Sequence, residues 1–205
     1  MPSTSSRKPA AVRRAEIEAA AEQLAREAGI SALTMRAVAH RAGVAPTLVV
    51  HHVGSMEVLV ADTFERIVGA ELAELIDFAR RVPDGADRLR AVLETVLDGS
   101  RTAVTSIWVE AWVLGRANPE LAARVRRQMD AWRGFLAGLI AEGRDAGRYR
   151  VADPLAVAGQ LLGMIDGVGA HSLVGWRDDE NRVELMLLAA DAMLGVDLGA
   201  GPLAR

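Results

Sequence analysis

Residues able to contact a nucleic acid are concentrated in the segment from Leu33 to Met56. Thr34 and Arg36 stand at the start of a short predicted helix, and their hydroxyl and guanidinium groups are suited to phosphate contacts. A threonine can also bond a base edge, and a leucine can contact the methyl group of thymine. The start and exposed face of the next predicted helix carry the remaining candidates, which are Ala45, Thr47, Leu48, His51 and His52. The segment therefore predicts a surface that contacts DNA.

The same segment has the small and apolar residues that a helix-turn-helix requires. Ala39 is small enough for two short helices to cross closely, and Gly43 can supply the backbone angles of the turn. Val38, Val44 and Val49 occupy positions that face inward. The outer face of the second helix is then free to enter a DNA major groove.

Metal binding and catalysis are poorly supported. His51 can donate to a phosphate or a base, and His52 stands at a helix end, where a cation interacts favourably with the helix dipole. Neighbouring helical residues point about 100° apart, which makes this pair a poor metal chelate. The chain has no cysteine, no P-loop and no G-x-S-x-G or H-E-x-x-H motif. We predict no metal, no cofactor and no enzymatic activity.

The charge is unevenly distributed along the chain. Residues 1–56 contain seven Arg or Lys and four Glu, a net charge of +3, whereas the remainder has a net charge of −6. A basic N-terminal part on an acidic body is typical of a nucleic-acid-binding module, with chance variation in surface charge as the alternative. No apolar run reaches the roughly 20 residues that span a bilayer, and no secretory signal is present, so we expect a cytoplasmic protein.

Helical periodicity runs through the whole chain, which predicts an all-α fold. We expect helices at about 13–28, 35–42, 46–52, 56–81, 86–98, 101–115, 119–146, 154–174 and 179–194. The predicted domains are a disordered basic arm (1–12), a DNA-binding head (13–54), a helical regulatory and dimerisation body (55–195) and a tail (196–205). Arg7, Lys8, Arg13 and Arg14 could follow a DNA backbone or enter a minor groove, or the arm could have no role.

The last two predicted helices are apolar on almost every side, so more than one neighbour must cover them. Gly159, Gly163 and Gly167 are spaced four residues apart and would permit close helix approach. A second copy of the chain could supply the additional cover, and a monomeric core is the alternative. The candidate dimer-interface residues are Leu161, Leu162, Ile165, Val168, Met186, Leu187 and Met193.

Tryptophan is more frequent than tyrosine in this chain, with four Trp and one Tyr. Trp108 and Trp112 lie one turn apart on one predicted helix, and Trp132 lies on the next. Such a set could form an aromatic wall for a cation, or the indoles could simply fill the core. The candidate pocket residues are Trp108, Glu110, Trp112, Met129, Trp132, Asp166 and His171.

Residues 13–60 resemble the TetR family of bacterial transcriptional regulators. The resemblance rests on Ile17, Ala20-Ala21 and Gly29, then on Leu33 to Ala39, Ala42-Gly43-Val44, His51-His52 and Gly54-Ser55. The body is similar to that of BetI-like members at Trp108, Trp112, Asn118 to Leu121, Trp132-Arg133, Gly147 to Pro154 and Asp166-Gly167. The resemblance implies a homodimeric repressor on a near-palindromic operator, in which a small ligand changes the spacing of the heads. BetI-like relatives sense choline, so a cation of that kind is a candidate effector.

Three residues depart from the family pattern. Val50 replaces a frequent Tyr, Val53 replaces an aromatic residue that fills the core of the head, and Met56 replaces a frequent Lys. The Tyr and Lys commonly hold phosphates in relatives, and phosphate contacts supply much of the affinity for DNA. We therefore expect weaker DNA binding than is usual in the family. The alternative function is a helical sensor of ligands or proteins with weakened DNA affinity.

Overall fold

The computed structural model describes residues 9–83, 85–176 and 181–196 of the 205-residue chain. Within these ranges every regular secondary-structure element is a helix, which confirms the predicted all-α fold class. The α-helices are α1 (Ala10–Ala28), α2 (Met35–Ala42), α3 (Pro46–Val53), α4 (Met56–Arg81), α5 (Arg88–Leu97), α6 (Thr102–Leu114), α7 (Pro119–Asp145), α8 (Pro154–Ser172) and α9 (Arg182–Met193). A 3-10 turn at Ile30–Ala32 joins α1 to α2.

The first helix begins earlier than the sequence predicts. It starts at Ala10, so residues 10–12 are helical and do not belong to the arm predicted for 1–12. The three added residues precede Arg13 and include Ala10 and Ala11, and alanine is the strongest helix former. Pro9 stands at the N-cap. Residues 1–8, including Arg7 and Lys8, lie outside the described part of the chain, as do 177–180 at the predicted start of the last helix and most of the predicted tail.

The helix-turn-helix forms as predicted. The Thr34 side chain caps α2 by accepting a hydrogen bond from the backbone N–H of Ala37 at 3.2 Å. Gly43 ends α2 with φ 64°, a left-handed conformation that favours glycine. Val38 and Ala39 of α2 are buried, as is Val49 of α3. The two short helices therefore meet through their apolar residues.

Short polar side chains set the starts of several later helices. The hydroxyl of Ser55 accepts from Val58 N–H at 3.2 Å in the first turn of α4. Asp87 accepts from Arg90 N–H at 2.9 Å at the start of α5, and Asp153 accepts from Ala156 N–H at 3.1 Å at the start of α8. Each bond satisfies one of the N–H groups that a helix start leaves without an intrahelical acceptor.

The described chain divides into two compact units. The first contains the residues up to Val68 together with Ser106–Arg126. The second contains Gly69–Thr105 and the residues from Arg127 onward. The unit that holds the helix-turn-helix is therefore larger than the predicted head at 13–54, since it includes the first half of α4, much of α6 and the start of α7.

Each unit has its own buried apolar residues. In the first unit these include Ile17, Val38, Val49, Phe64, Ile107 and Leu121. In the second unit a core joins α5, α7, α8 and α9 and includes Val92, Leu93, Leu136, Ile140, Leu161 and Met186. Burial of these side chains is the main source of stability in each unit, since burying one Leu, Ile, Val or Phe side chain contributes about 1.5–3 kcal/mol.

Candidate nucleic-acid interface

The outer face of α3 presents the residues that the sequence predicts for base contacts. Ala45, Thr47 and His51 are exposed, and 40% of the Leu48 surface is accessible. Val49, on the opposite side of this helix, is fully buried. An exposed leucine beside a threonine on a short helix is suited to a groove in which both methyl groups and polar base edges are available.

Thr34 can serve two purposes at once. Its oxygen accepts the capping bond from Ala37, and a hydroxyl retains one donor after it has accepted. The side chain is exposed, so this donor can reach a phosphate oxygen without loss of the cap. The start of α2 also carries the partial positive charge of the helix dipole, which favours an anion at this position.

Arg36 differs from the other arginines of this region. Between residues 9 and 56, Arg13 pairs with Glu16 at 2.8 Å, Arg14 with Glu18 at 2.7 Å and Arg26 with Glu22 at 3.0 Å. Arg41 pairs with Glu27, and the hydrogen bonds from Arg41 lower the pKa of the Glu27 carboxyl. Arg36 alone among these five makes no ion pair, and it is exposed one residue into α2. Its charge is therefore available for a phosphate.

The two neighbouring histidines lie at the end of α3. Their ring centroids are 5.2 Å apart with planes inclined at 74°, and His52 is half-buried while His51 is exposed. Among the residues that the structure describes, no group of three or more His, Asp or Glu side chains is placed to hold a metal ion. His51 is the member of the pair that is accessible to DNA.

The three departures from the family pattern occupy different environments. Val53 is 6% exposed and fills part of the core beneath α3. Val50 and Met56 are half-buried, and neither can donate a hydrogen bond to a phosphate. The core position is therefore filled by a smaller apolar side chain, whereas the two positions at which relatives commonly hold phosphates carry no hydrogen-bond donor in this chain.

Trp108 and Trp112 lie one turn apart on α6, in the part of this helix that belongs to the first unit. Their ring centroids are 6.1 Å apart, and Trp108 also meets Phe64 edge to face at 5.0 Å. Both indoles are half-buried, and the Trp112 N–H has no hydrogen-bond partner although the atom is buried.

Glu110, which the sequence places between these two tryptophans, has a partner elsewhere in the first unit. One carboxylate oxygen accepts a hydrogen bond from the backbone N–H of Ser31 at 2.7 Å. The sequence offers no indication of this contact, because the two residues are separated by 79 positions.

The other pocket candidates belong to the second unit. Trp132 is 4% exposed and its buried N–H has no partner, and Met129 is half-buried. Burial raises the pKa of the Asp166 carboxyl to about 6. His171 is exposed and meets Trp176 edge to face at 4.9 Å, a contact that the sequence does not predict.

The candidate dimer residues fall into two groups. Leu161, Met186 and Leu187 are buried in the core of the second unit, which leaves little of their surface for a partner. The rest are only partly buried against that core, and they are Leu162, Ile165, Val168 and Met193. Two apolar side chains that are not among the predicted dimer-interface residues have far more accessible surface than these four. Leu155 of α8 is 50% exposed and Leu185 of α9 is 55% exposed.

A cavity of about 340 Å³ lies in the second unit, between the start of α5 and the end of α7. Its lining includes Asp87, Arg88, Glu142 and Tyr149, none of which the sequence singles out. The Tyr149 hydroxyl donates to Asp87, and burial raises the pKa of the Tyr149 phenol. Since Asp87 also caps α5, this tyrosine has a structural role at the start of α5.

Comparison with known proteins identifies the class to which this helix-turn-helix and helical body belong. Residues 17–63 match the model of the tetR family of bacterial regulatory proteins, and residues 85–194 match that of the BetI-type transcriptional repressor C-terminal domain. The chain belongs to the TetR family and has a C-terminal domain of BetI type. This is a family of transcriptional regulators and not of enzymes.

A curated relative agrees with this assignment. The HTH-type transcriptional regulator BetI of Stenotrophomonas maltophilia (strain R551-3) is 30% identical over 123 residues, which are 58% of this chain and 62% of the relative. The match therefore spans less than two thirds of that protein.

Solved structures share the fold. A transcriptional regulator from Saccharomonospora viridis in complex with choline has a TM-score of 0.74 at 22% identity, covering 90% of this chain and 96% of that one. A TetR-family regulator from Rhodococcus sp. has a TM-score of 0.73 at 21% identity, covering 90% and 99%. In the described parts of the present chain, no helix is long and apolar enough to cross a membrane.

Proposed function

We propose that this protein is a ligand-responsive transcriptional repressor that binds a near-palindromic operator as a homodimer. The observation that carries the proposal is the exposed surface formed by Thr34, Arg36, Thr47, Leu48 and His51. It combines one arginine without an ion pair, two hydroxyl groups and an apolar contact on the outer side of a helix-turn-helix. Residues of this kind divide naturally into phosphate contacts from α2 and base contacts from α3.

A dimer would present two copies of α3 to the two halves of the operator. In helix-turn-helix dimers the half-sites lie about one helical turn, roughly 34–36 Å, or a multiple apart. The partly buried residues of α8 and the exposed Leu185 of α9 supply apolar surface for self-association. An effector acts by binding preferentially to a conformer of the dimer in which the two DNA-binding heads do not fit this spacing. A tenfold loss of operator affinity requires a coupling free energy of about 1.4 kcal/mol between the effector site and the DNA-binding surface.

A gel-shift titration with DNA from the region upstream of the protein's own gene tests the proposal. We expect a shift at low salt that a scrambled duplex of the same composition does not compete away. Absence of any specific shift would favour the second candidate function, a helical sensor with weakened DNA affinity. The observation that favours this alternative is the lack of a phosphate donor at Val50 and Met56.

For the effector we propose a small organic cation such as choline, with Trp108 and Trp112 of the first unit as its candidate contacts. Met129, Trp132, Asp166 and His171 of the second unit are a separate set of candidates. Indole faces attract cations, and the rings of Trp108 and Trp112 lie 6.1 Å apart, both half-buried. The choline complex of the Saccharomonospora viridis regulator supports this class of ligand.

Tryptophan fluorescence provides a direct test of the effector. Choline is titrated in parallel with 3,3-dimethyl-1-butanol, which has the same shape but no charge. We expect choline alone to change the emission, because the attraction to an indole face depends on the positive charge. Equal responses to the two compounds, or no response to millimolar choline, would argue against a cation site.

A further inference from the structure

Glu110 is the only ionisable side chain in α6, whose sequence is otherwise apolar or neutral. Its position between Trp108 and Trp112 would suggest a charge that faces a ligand. Instead, its Oε2 accepts the backbone N–H of Ser31, which lies in the 3-10 turn between α1 and α2. A hydrogen bond to an ionised carboxylate is about twice as strong as one between neutral groups.

Gly29 allows the carboxylate to approach the turn this closely. A Cβ atom added to Gly29 would lie 2.1 Å from Oε1 of Glu110, much closer than two such atoms can come. The residue also has φ +84°, a conformation that other residues rarely adopt. The backbone conformation favours glycine here, and any larger residue would displace the Glu110 carboxylate from its place over the turn.

The turn that Glu110 contacts determines where α2 begins. The N–H of Ala32 bonds to the Gly29 carbonyl, and the N–H of Leu33 bonds to the Ile30 carbonyl. Thr34, the cap of α2, follows directly. Helix starts leave N–H groups without intrahelical acceptors, and Glu110 satisfies one of them from another helix.

The exit from the helix-turn-helix is held by neighbouring residues of the same unit. Asn118 donates to the Glu57 carbonyl at 3.1 Å, in the first turn of α4. Six residues after Asn118, Arg124 pairs with Asp62 and Glu65 of α4 at 2.9 Å each. The α6–α7 segment therefore contacts both the turn that precedes α2 and the helix that follows α3.

We propose that Glu110 is a positioning residue for operator binding, one that fixes the Ser31 turn and hence the start of α2 without contacting DNA. This inference rests on the proposed function. Thr34 and Arg36 follow Ser31 by three and five residues, so a shift of the turn displaces both phosphate contacts together. Because Trp108 and Trp112 flank Glu110, an effector that moves α6 would reach the turn through this side chain.

The test compares E110A, which removes the acceptor, with E110Q, which keeps it. E74A serves as the matched control, since Glu74 is an exposed glutamate of α4. Two quantities are measured for each protein. One is the hydrogen-exchange rate of the Ser31 amide, and the other is operator affinity over a salt series.

For E110A we expect about tenfold faster exchange at Ser31 and about tenfold weaker operator binding, from loss of one hydrogen bond to a charged group. The slope of log affinity against log salt stays unchanged, because the operator complex still makes both phosphate contacts and only the cost of returning the displaced turn to its position is added. E110Q and E74A remain within about threefold of the wild type, which is less than 0.7 kcal/mol.

Several results would overturn the proposal. E110A that binds operator as tightly as E74A does, or E110Q that binds as weakly as E110A, contradicts the positioning role. Rapid exchange of the Ser31 amide in the wild type would show that the hydrogen bond to Glu110 is not formed. A wild-type protein that binds no operator would refute the proposed function as well.

If E110A does not fold, G29A provides a second route. We expect G29A to weaken operator binding and to accelerate Ser31 exchange, as displacement of the carboxylate requires. Wild-type behaviour in G29A would overturn the proposal.

Discussion

Asn118 connects the start of α7 to the first turn of α4 through one side chain. Its Nδ2 donates to the carbonyl oxygen of Glu57 at 3.1 Å, while its Oδ1 accepts from the backbone N–H of Leu121, also at 3.1 Å. The residue is thus a helix cap and a link between helices at once. Glu57 is two residues beyond Ser55, at the point where the chain leaves the helix-turn-helix.

Substitution of Asn118 separates these two roles. N118D keeps the oxygen that caps α7 but loses the donor to Glu57, so we expect a loss of about 1 kcal/mol in the free energy of unfolding. N118A loses both bonds, and we expect a loss of about 2 kcal/mol. Urea denaturation measures both values. Equal stability of N118A and the wild type would show that neither bond contributes.

Thr34 offers a similar separation between stability and DNA binding. T34D keeps an oxygen that can accept the Ala37 N–H, and a negative charge at a helix start is favourable, so the midpoint of thermal unfolding should change little. The same charge repels a phosphate, and operator affinity should fall at least about tenfold. T34S is the matched control and should preserve both properties. A T34D protein that binds operator normally would exclude a phosphate at this position.

Asp166 should make stability depend on pH in an unusual direction. Burial raises its pKa to about 6 in the folded protein, whereas an unfolded Asp has a pKa of about 3.9. The folded state holds this proton more tightly, so the contribution of Asp166 to stability falls as pH rises from about 4 to about 6.

The variant D166N removes this titration. Relative to the wild type it should gain at most about 2 kcal/mol between pH 4 and pH 7, given partial exposure to solvent. Chemical denaturation of both proteins across this pH range measures the difference. A difference that stays constant with pH would contradict the shifted carboxyl.

Leu185 provides a test of self-association. Its side chain is 55% exposed on α9, and a carboxylate at this position would have to be buried in a dimer formed through that helix. We expect L185E to be a monomer of 21.8 kDa by light scattering, while the wild type has twice that mass. V113E, at a 64% exposed valine of α6, is the control and should remain dimeric. A dimeric L185E would place the interface elsewhere.

The sequence predicts the helix-turn-helix well because its determinants are local. Thr34 caps the helix that follows it, Gly43 supplies its own backbone angle, and Ser55 acts three residues ahead. The Ile30–Ala32 turn escaped prediction because three residues are too few to show a periodicity. The bond from Ser31 to Glu110 joins residues 79 positions apart, and no local pattern records such a contact.

The body is harder to predict for a different physical reason. Helices α8 and α9 are apolar on nearly every side, so their sequences do not mark which face meets the core. The sequence therefore does not distinguish Leu161, Met186 and Leu187 from their partly exposed neighbours, although the structure buries them. Leu185 differs from Met186 by one position, about 100° around the helix, and only the fold distinguishes the two.

Arg36 supplies the most specific electrostatic prediction for DNA binding. It makes no ion pair, so its replacement should not disturb the folded protein, whereas one phosphate contact would be lost per protomer. We expect R36Q to reduce the slope of log affinity against log salt by about 0.9 for each contact removed. R26Q is the control, because Arg26 pairs with Glu22, and its slope should equal that of the wild type.

The most direct test of the account is operator binding by the wild-type protein, measured by gel shift against its own upstream DNA and a scrambled duplex. The account predicts a specific shift at low salt, with a weaker salt dependence than is usual in the family because Val50 and Met56 provide no phosphate donors. Equal affinity for the two duplexes, or no binding to either, would contradict the claim that the surface around Thr34, Arg36 and Leu48 recognises an operator.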